Sequence, residues 1–133
     1  STTNATRSHS SSAVDMSWVV RNIVAPRAFS PRMMSLTLRA LTGATWIGFT
    51  CRSAAPQQIM VRPCLRSGGT DGFTDCFFPR HILSLPEVLN HADALHLPST
   101  PEVPPQAPWR ELLFFLPCAK TGWHLHDLRL FAA

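Results

Sequence analysis

The sequence predicts a small, irregular α+β domain, and three observations lead to that class. Twelve prolines and six glycines among 133 residues cut the chain into short elements. Two stretches open with a serine followed three positions later by an acid, Ser12 with Asp15 and Ser84 with Glu87, which is the pattern of a helix capping box. Two others, 45–51 and 59–65, concentrate the β-branched and aromatic residues that suit strands.

The elements follow in order. Residues 13–25 read as a first helix, capped by Ser12 and stopped by Pro26. Val14, Val19, Val20, Ile23 and Val24 supply enough β-branched residues to make a strand the alternative there. Residues 32–42 read as a second helix: Ser30 caps it, Pro31 presets the first helical position, and Gly43 ends it. Met33, Met34, Leu36, Leu38 and Leu41 give it core side chains. Strands are expected at 45–51 and 59–65, the second at a sheet edge because Pro63 has no ladder donor. Ser67-Gly68-Gly69-Thr70-Asp71-Gly72 is a turn, and 73–78 returns as a hairpin partner. The best helix signal is 85–97, with Leu85, Val88, Leu89, Ala92 and Leu95 on one face and Pro98 at its end. Residues 98–108 should be extended and polyproline-like, 109–116 an apolar helix or strand, and 123–131 a final strand. The chain thus divides into a Ser/Thr-rich tail (1–13), an α+β core (14–97), a Pro-rich linker (98–108) and an apolar segment (109–133) that packs on the core or on a partner.

Charge is distributed very unevenly. Between Asp15 and Asp71 there is no carboxylate side chain, yet there are seven arginines. Residues 1–66 carry eight Arg and one Asp, or +7; residues 67–133 carry three Arg, one Lys and seven acids, or −3, which sum to the net +4. The first half must therefore fold against the second or dock on something anionic. The bias of eleven Arg to one Lys offers planar forks suited to phosphate and carboxylate, although a GC-rich coding sequence produces the same bias.

No chemical motif accompanies this charge. Cys51, Cys64, Cys76 and Cys118 are 13, 12 and 42 positions apart, which fits neither a zinc knuckle nor a redox Cys-x-x-Cys, so buried free thiols are expected. His124 and His126 would share a strand face, but two ligands do not make a metal site. There is no nucleophile elbow, no glycine-rich cofactor fingerprint and no acidic cluster. The expectation is a non-enzymatic protein without cofactor or metal. Asn4-Ala5-Thr6 is a glycosylation acceptor triplet. No stretch reaches the roughly 18–20 uncharged apolar residues of a spanning helix.

These features predict a non-catalytic accessory subunit of a large organellar assembly, mitochondrial rather than plastid, such as a respiratory membrane complex or a ribosome. It would bridge neighbouring protein subunits, and its Ser-rich, acid-poor start has the texture of a transit region. Arg21, Arg27, Arg32, Arg39, Arg52, Arg62 and Arg66 would make the polar contacts, with Trp18, Trp46, Trp109 and Trp123 as apolar anchors. Pro105, Pro108, Trp109 and Arg110 complete a Pro-x-x-Pro-x-Arg pattern suited to an aromatic groove. Anionic lipid headgroups or rRNA are further expected partners. Two alternatives are a secreted or lumenal binding domain held by two disulfides, and a small Cys- or His-dependent enzyme or metalloprotein.

Overall fold

Alternation with a period of two, not helical spacing, governs the chain. Along 46–53, Ile47, Phe49, Cys51 and Ser53 are buried while Trp46, Thr50 and Arg52 are exposed, as a strand with one covered face requires. The computed structural model describes residues 5–6, 15–25, 33–38, 43–117 and 122–133. They form ten strands: β1 (Ala5–Thr6), β2 (Asp15–Ala25), β3 (Met33–Leu38), β4 (Trp46–Ala54), β5 (Ile59–Gly69), β6 (Gly72–Phe77), β7 (Ile82–Ser84), β8 (Leu89–His96), β9 (Arg110–Phe115) and β10 (Trp123–Ala132). Among the described residues the one helical piece is a 3-10 turn, Leu97–Ser99.

The strands make two antiparallel sheets. The first has the order β1-β2-β10-β4-β8; the second has the order β3-β9-β5-β6, with β7 also paired to β5. Their inner faces meet in one core, to which the first sheet gives Ile47, Phe49, Leu95, Leu125, Leu128 and Leu130, and the second Leu38, Val61, Leu65, Leu112 and Phe114. Aromatic edges lock the layers: Phe49 meets Phe114 and Phe78 edge-on at centroid separations of 5.8 and 5.0 Å. A polar bridge crosses the same interior. The Trp123 indole N–H donates to Ser84 Oγ at 2.9 Å, and Ser84 Oγ lies 2.8 Å from Ser53 Oγ. This joins β10 and β4 to β7, so each buried hydroxyl is satisfied.

The fold is therefore a β-sandwich, which overturns the α+β expectation. The stretches read as helices at 13–25, 32–42 and 85–97 hold β2, β3 and β8, with 13–14, 32 and 39–42 outside the described residues. In β2 the β-branched density prevailed over the capping signal. In β8 the apolar positions at helical spacing are split: Leu89 and Leu95 share one strand face, and Ala92 falls on the other. Leu89, His91, Asp93 and Leu95 stand opposite Ser53, Cys51, Phe49 and Ile47, while Asn90, Ala92, Ala94 and His96 belong to the other face. Pairing along β4 outweighs a local helix preference worth tenths of a kcal/mol per residue (~0.5). Ser84 caps nothing; it ends β7 with its hydroxyl in the buried bridge.

Two proline expectations change as well. Pro63 sits in β5, which is central, not at an edge. Its carbonyl accepts from Phe78 N–H at 3.0 Å, so its nitrogen turns towards the break between β6 and β7, where no ladder partner is lost. The 98–108 segment is not continuously extended. It turns at Val103, whose N–H donates to the Thr100 carbonyl at 3.0 Å, and it buries Val103 and Ala107 against the end of the sandwich. Arg110 fastens it: this fully buried guanidinium donates to the Pro104 carbonyl at 2.8 Å and to Ser67 Oγ at 2.5 Å.

A half-buried histidine makes stability depend on pH. His91 stacks on Phe49 at 5.7 Å, and its Nε2 is buried without a partner. Burial, then Arg80, lower its pKa below the ordinary value of about 6.5, against a smaller opposing effect of Asp93. The unfolded chain then binds a proton more readily than the folded one, so stability is full above that value and falls as pH drops below it. We expect the melting temperature to fall between pH 7.5 and pH 5 in thermal scans, with a smaller fall in His91→Gln.

Candidate functional site

The outer face of the first sheet combines an aromatic platform with a polar groove. Trp46 opens β4 and stands opposite His96 on β8; the two rings lie 4.5 Å apart at 43°. The Trp46 side chain is 44% exposed. Its backbone is pinned at the sheet end, where Trp46 N–H donates to the Ala133 carbonyl at 2.9 Å. His96 is steadied by Ser99 from the 3-10 turn, with Nδ1 and Oγ 2.6 Å apart. One step further along β4, Gly48 lies between Ala94 and Phe131. A Cβ there would overlap the Phe131 ring, so glycine is what lets that ring lie across the strand.

Beyond this floor of small residues the face turns polar. Thr50 and Arg52 on β4, Asn90 and Ala92 on β8, and Asp127 and Arg129 on β10 line a groove of about 560 Å³. Arg129 Nε donates to Asp127 Oδ2 at 3.2 Å. Arg52 is exposed and has no hydrogen-bond or ion-pair partner among the described residues. From Trp46 to Thr50 the strand advances about 13 Å, so platform and groove form one strip that suits a chain of rings better than a single small molecule. Such a strip can stack an apolar ring face at one end and hydrogen-bond hydroxyls at the other.

The outer face of the second sheet differs. Phe73 and Phe77 are 55% and 41% exposed, and each carries a guanidinium: Arg66 lies 3.9 Å over Phe73, and Arg62 lies 4.0 Å over Phe77. Arg66 is also held by both Asp75 oxygens, at 2.8 and 3.0 Å. A groove of about 510 Å³ lies beside Phe73, between the β5–β6 hairpin and Pro104, Gln106 and Pro108, but with its rings capped in this way this face offers less free aromatic surface than Trp46 does.

The residues expected from sequence to contact a partner are thus dispersed. Trp46 and Arg52 share the outer face of the first sheet, and Arg21 occupies the β2 position opposite Asp127. Trp18 occupies the β2 position opposite Leu130. Arg62 and Arg66 lie on the second sheet. Arg110 and Trp123 are buried, Trp123 in the shared core, and are not presented to a partner; Trp109 is half-buried over Gly68, and Pro105 and Pro108 are exposed. Arg27, Arg32 and Arg39 lie outside the described residues. Sequence reading missed Thr50, Asn90, His96, Arg129 and Phe131, whose only signal is a strand register spanning distant parts of the chain.

Cysteine and histidine chemistry is not concentrated on this face. Cys51, Cys64 and Cys76 are free thiols, which removes a two-disulfide framework from a chain with four cysteines. Burial pushes Cys51 and Cys64 up to about 12, with Asp127 and Asp75 adding to the respective shifts, so both stay protonated at neutral pH. Cys118 lies outside the described residues. The His124 and His126 rings stand 3.7 Å apart, and burial, then His126, lowers the His124 pKa. Among the described residues no third metal-ligating side chain joins them.

Comparison with known proteins identifies the architecture. No protein-family model matches the chain, and no curated protein sequence does. Solved structures do. The CBM22-1 xylan-binding domain of Paenibacillus barcinonensis Xyn10C superposes with a TM-score of 0.61 over 98% of this chain and 80% of its own, at 8% identity. A CBM4 structure superposes with a TM-score of 0.52 over 87% of this chain and 83% of its own, at 14% identity. The chain has the β-sandwich fold of carbohydrate-binding modules. This finding corrects the expectation of a mitochondrial accessory subunit of a respiratory complex or ribosome. That expectation rested on short, interrupted elements wrapped along a partner, whereas these residues close their own two-sheet core.

Proposed function

We propose that the chain is a non-catalytic sugar-binding module that holds a polysaccharide along the outer face of the first sheet. One observation carries this reading: the exposed Trp46–His96 platform lies in line with the groove of Thr50, Arg52, Asn90 and Arg129 on the same sheet face. A pyranose ring presents C–H groups on its faces and hydroxyls at its rim. The first pack on an indole, and the second exchange hydrogen bonds with amide, hydroxyl and guanidinium groups. Strands, unlike loops, hold such groups at fixed spacing, which limits the entropy lost on binding. The fold shared with a domain named as xylan-binding supports the same reading.

The test is affinity electrophoresis in gels containing soluble xylan, mixed-linkage β-glucan, mannan or polygalacturonate, followed by titration calorimetry on whichever retards the protein. We expect at least one polysaccharide to retard the wild type, and Phe73→Ser, on the opposite sheet, to be retarded equally. Retardation by none, or its loss in Phe73→Ser alone, would overturn the proposal.

A further inference from the structure

We propose that the polysaccharide is anionic and that Arg52 holds its negative group; this rests on the sugar-binding reading of the same groove. Register places three arginine positions around one carboxylate. Arg21 on β2, Asp127 on β10 and Arg52 on β4 are directly opposed in turn, and Arg129 follows two residues along β10. Asp127 is already engaged by Arg129. Arg52 is exposed in the groove with no acceptor among the described residues, and its β8 neighbour, Asn90, is neutral. The acid on that part of β8, Asp93, belongs to the other face, and its oxygens accept from the backbone N–H groups of Arg80 and Ala94.

Counting Arg52, Arg129 and Asp127, the groove carries a net +1. A neutral glycan would leave the Arg52 charge uncompensated, whereas a carboxylate meets the guanidinium fork with two parallel hydrogen bonds. The surplus also answers the acid-free stretch between Asp15 and Asp71. Of its described arginines, Arg66 finds Asp75, but Arg52 finds no carboxylate. A uronic acid carboxylate or a sulfate ester offers the same chemistry, and the probes separate the two.

Calorimetry would compare polygalacturonate with its fully methyl-esterified, uncharged form, and would include dextran sulfate and neutral xylan. We expect polygalacturonate or dextran sulfate to bind roughly tenfold tighter than the uncharged glycans. The preference should shrink between 20 mM and 500 mM NaCl, since an exposed ion pair is screened. Whichever anion is preferred identifies the group as carboxylate or sulfate. Arg52→Gln should bring the affinity for the preferred anion down to that of the neutral glycan, and Arg52→Lys should restore part of the difference. Arg62→Gln removes one charge from the opposite sheet and reads out attraction by net charge alone. Equal affinity for acid and ester, or an equal loss in Arg62→Gln and Arg52→Gln, overturns the inference while glycan binding stands. Failure of every glycan, neutral ones included, overturns the sugar-binding reading and this inference with it.

Discussion

Replacing Trp123 with alanine is expected to lower the unfolding free energy by about 3–5 kcal/mol. Trp123 is 1% exposed, the largest of the fully buried side chains among the described residues, and packs 5.3 Å from Phe114 across the sandwich. Alanine would leave a cavity between the sheets and withdraw the N–H from Ser84, whose remaining partner is Ser53. Phenylalanine keeps most of the volume but not the donor, and should cost about 1–2 kcal/mol more than a filled site would. Urea unfolding followed by far-ultraviolet circular dichroism reads both numbers. A loss below about 1 kcal/mol for alanine would mean that the two sheets do not share this core.

Trp46→Ala should weaken polysaccharide binding by about thirtyfold, near 2 kcal/mol, the usual loss when a central aromatic anchor is truncated. Because the side chain is 44% exposed, the melting temperature should barely move, which separates a lost contact from a lost fold. Trp46→Phe retains a ring and should recover part of the affinity. Unchanged calorimetric affinity in the alanine variant would detach the stacking end from Trp46. The Phe73 and Phe77 face would then be the remaining aromatic candidate.

Sequence and structure agree where short-range signals suffice. The strands expected at 45–51, 73–78 and 123–131 lie in β4, β6 and β10, each marked by aromatic or β-branched residues with a turn or proline nearby. The helices failed because their evidence was local while the outcome was decided by distant pairing. The serine caps and apolar spacing at 85–97 describe an isolated peptide, and β8 instead completes the edge of a sheet whose adjacent strand begins at Trp46. The site was legible only in pieces. The acid-free run drew attention to Arg52 and the tryptophan count to Trp46. Nothing in the linear sequence brings Asn90 and Arg129 to the same face, because that requires the registers Arg52↔Asn90 and Thr50↔Arg129. Arg110 shows the opposite error, since an apparent surface motif ends in a buried clamp.

The position of β10 has a consequence for how this fold is made. It lies between β2 and β4, so the first sheet cannot close until the last of its strands exists. Ninety-eight positions separate the end of β2 at Ala25 from Trp123. At a synthesis rate of about 5–20 residues per second, β2 waits roughly 5–20 s for its neighbour. During that interval β4 has only β8 to pair with, and its other edge, carrying Ile47, Phe49 and Cys51, stays open to any extended segment nearby. The nascent chain thus passes through a half-sheet whose missing centre strand is the vulnerable point, and a chaperone that shields that edge should raise the yield of soluble protein more than one that acts after release.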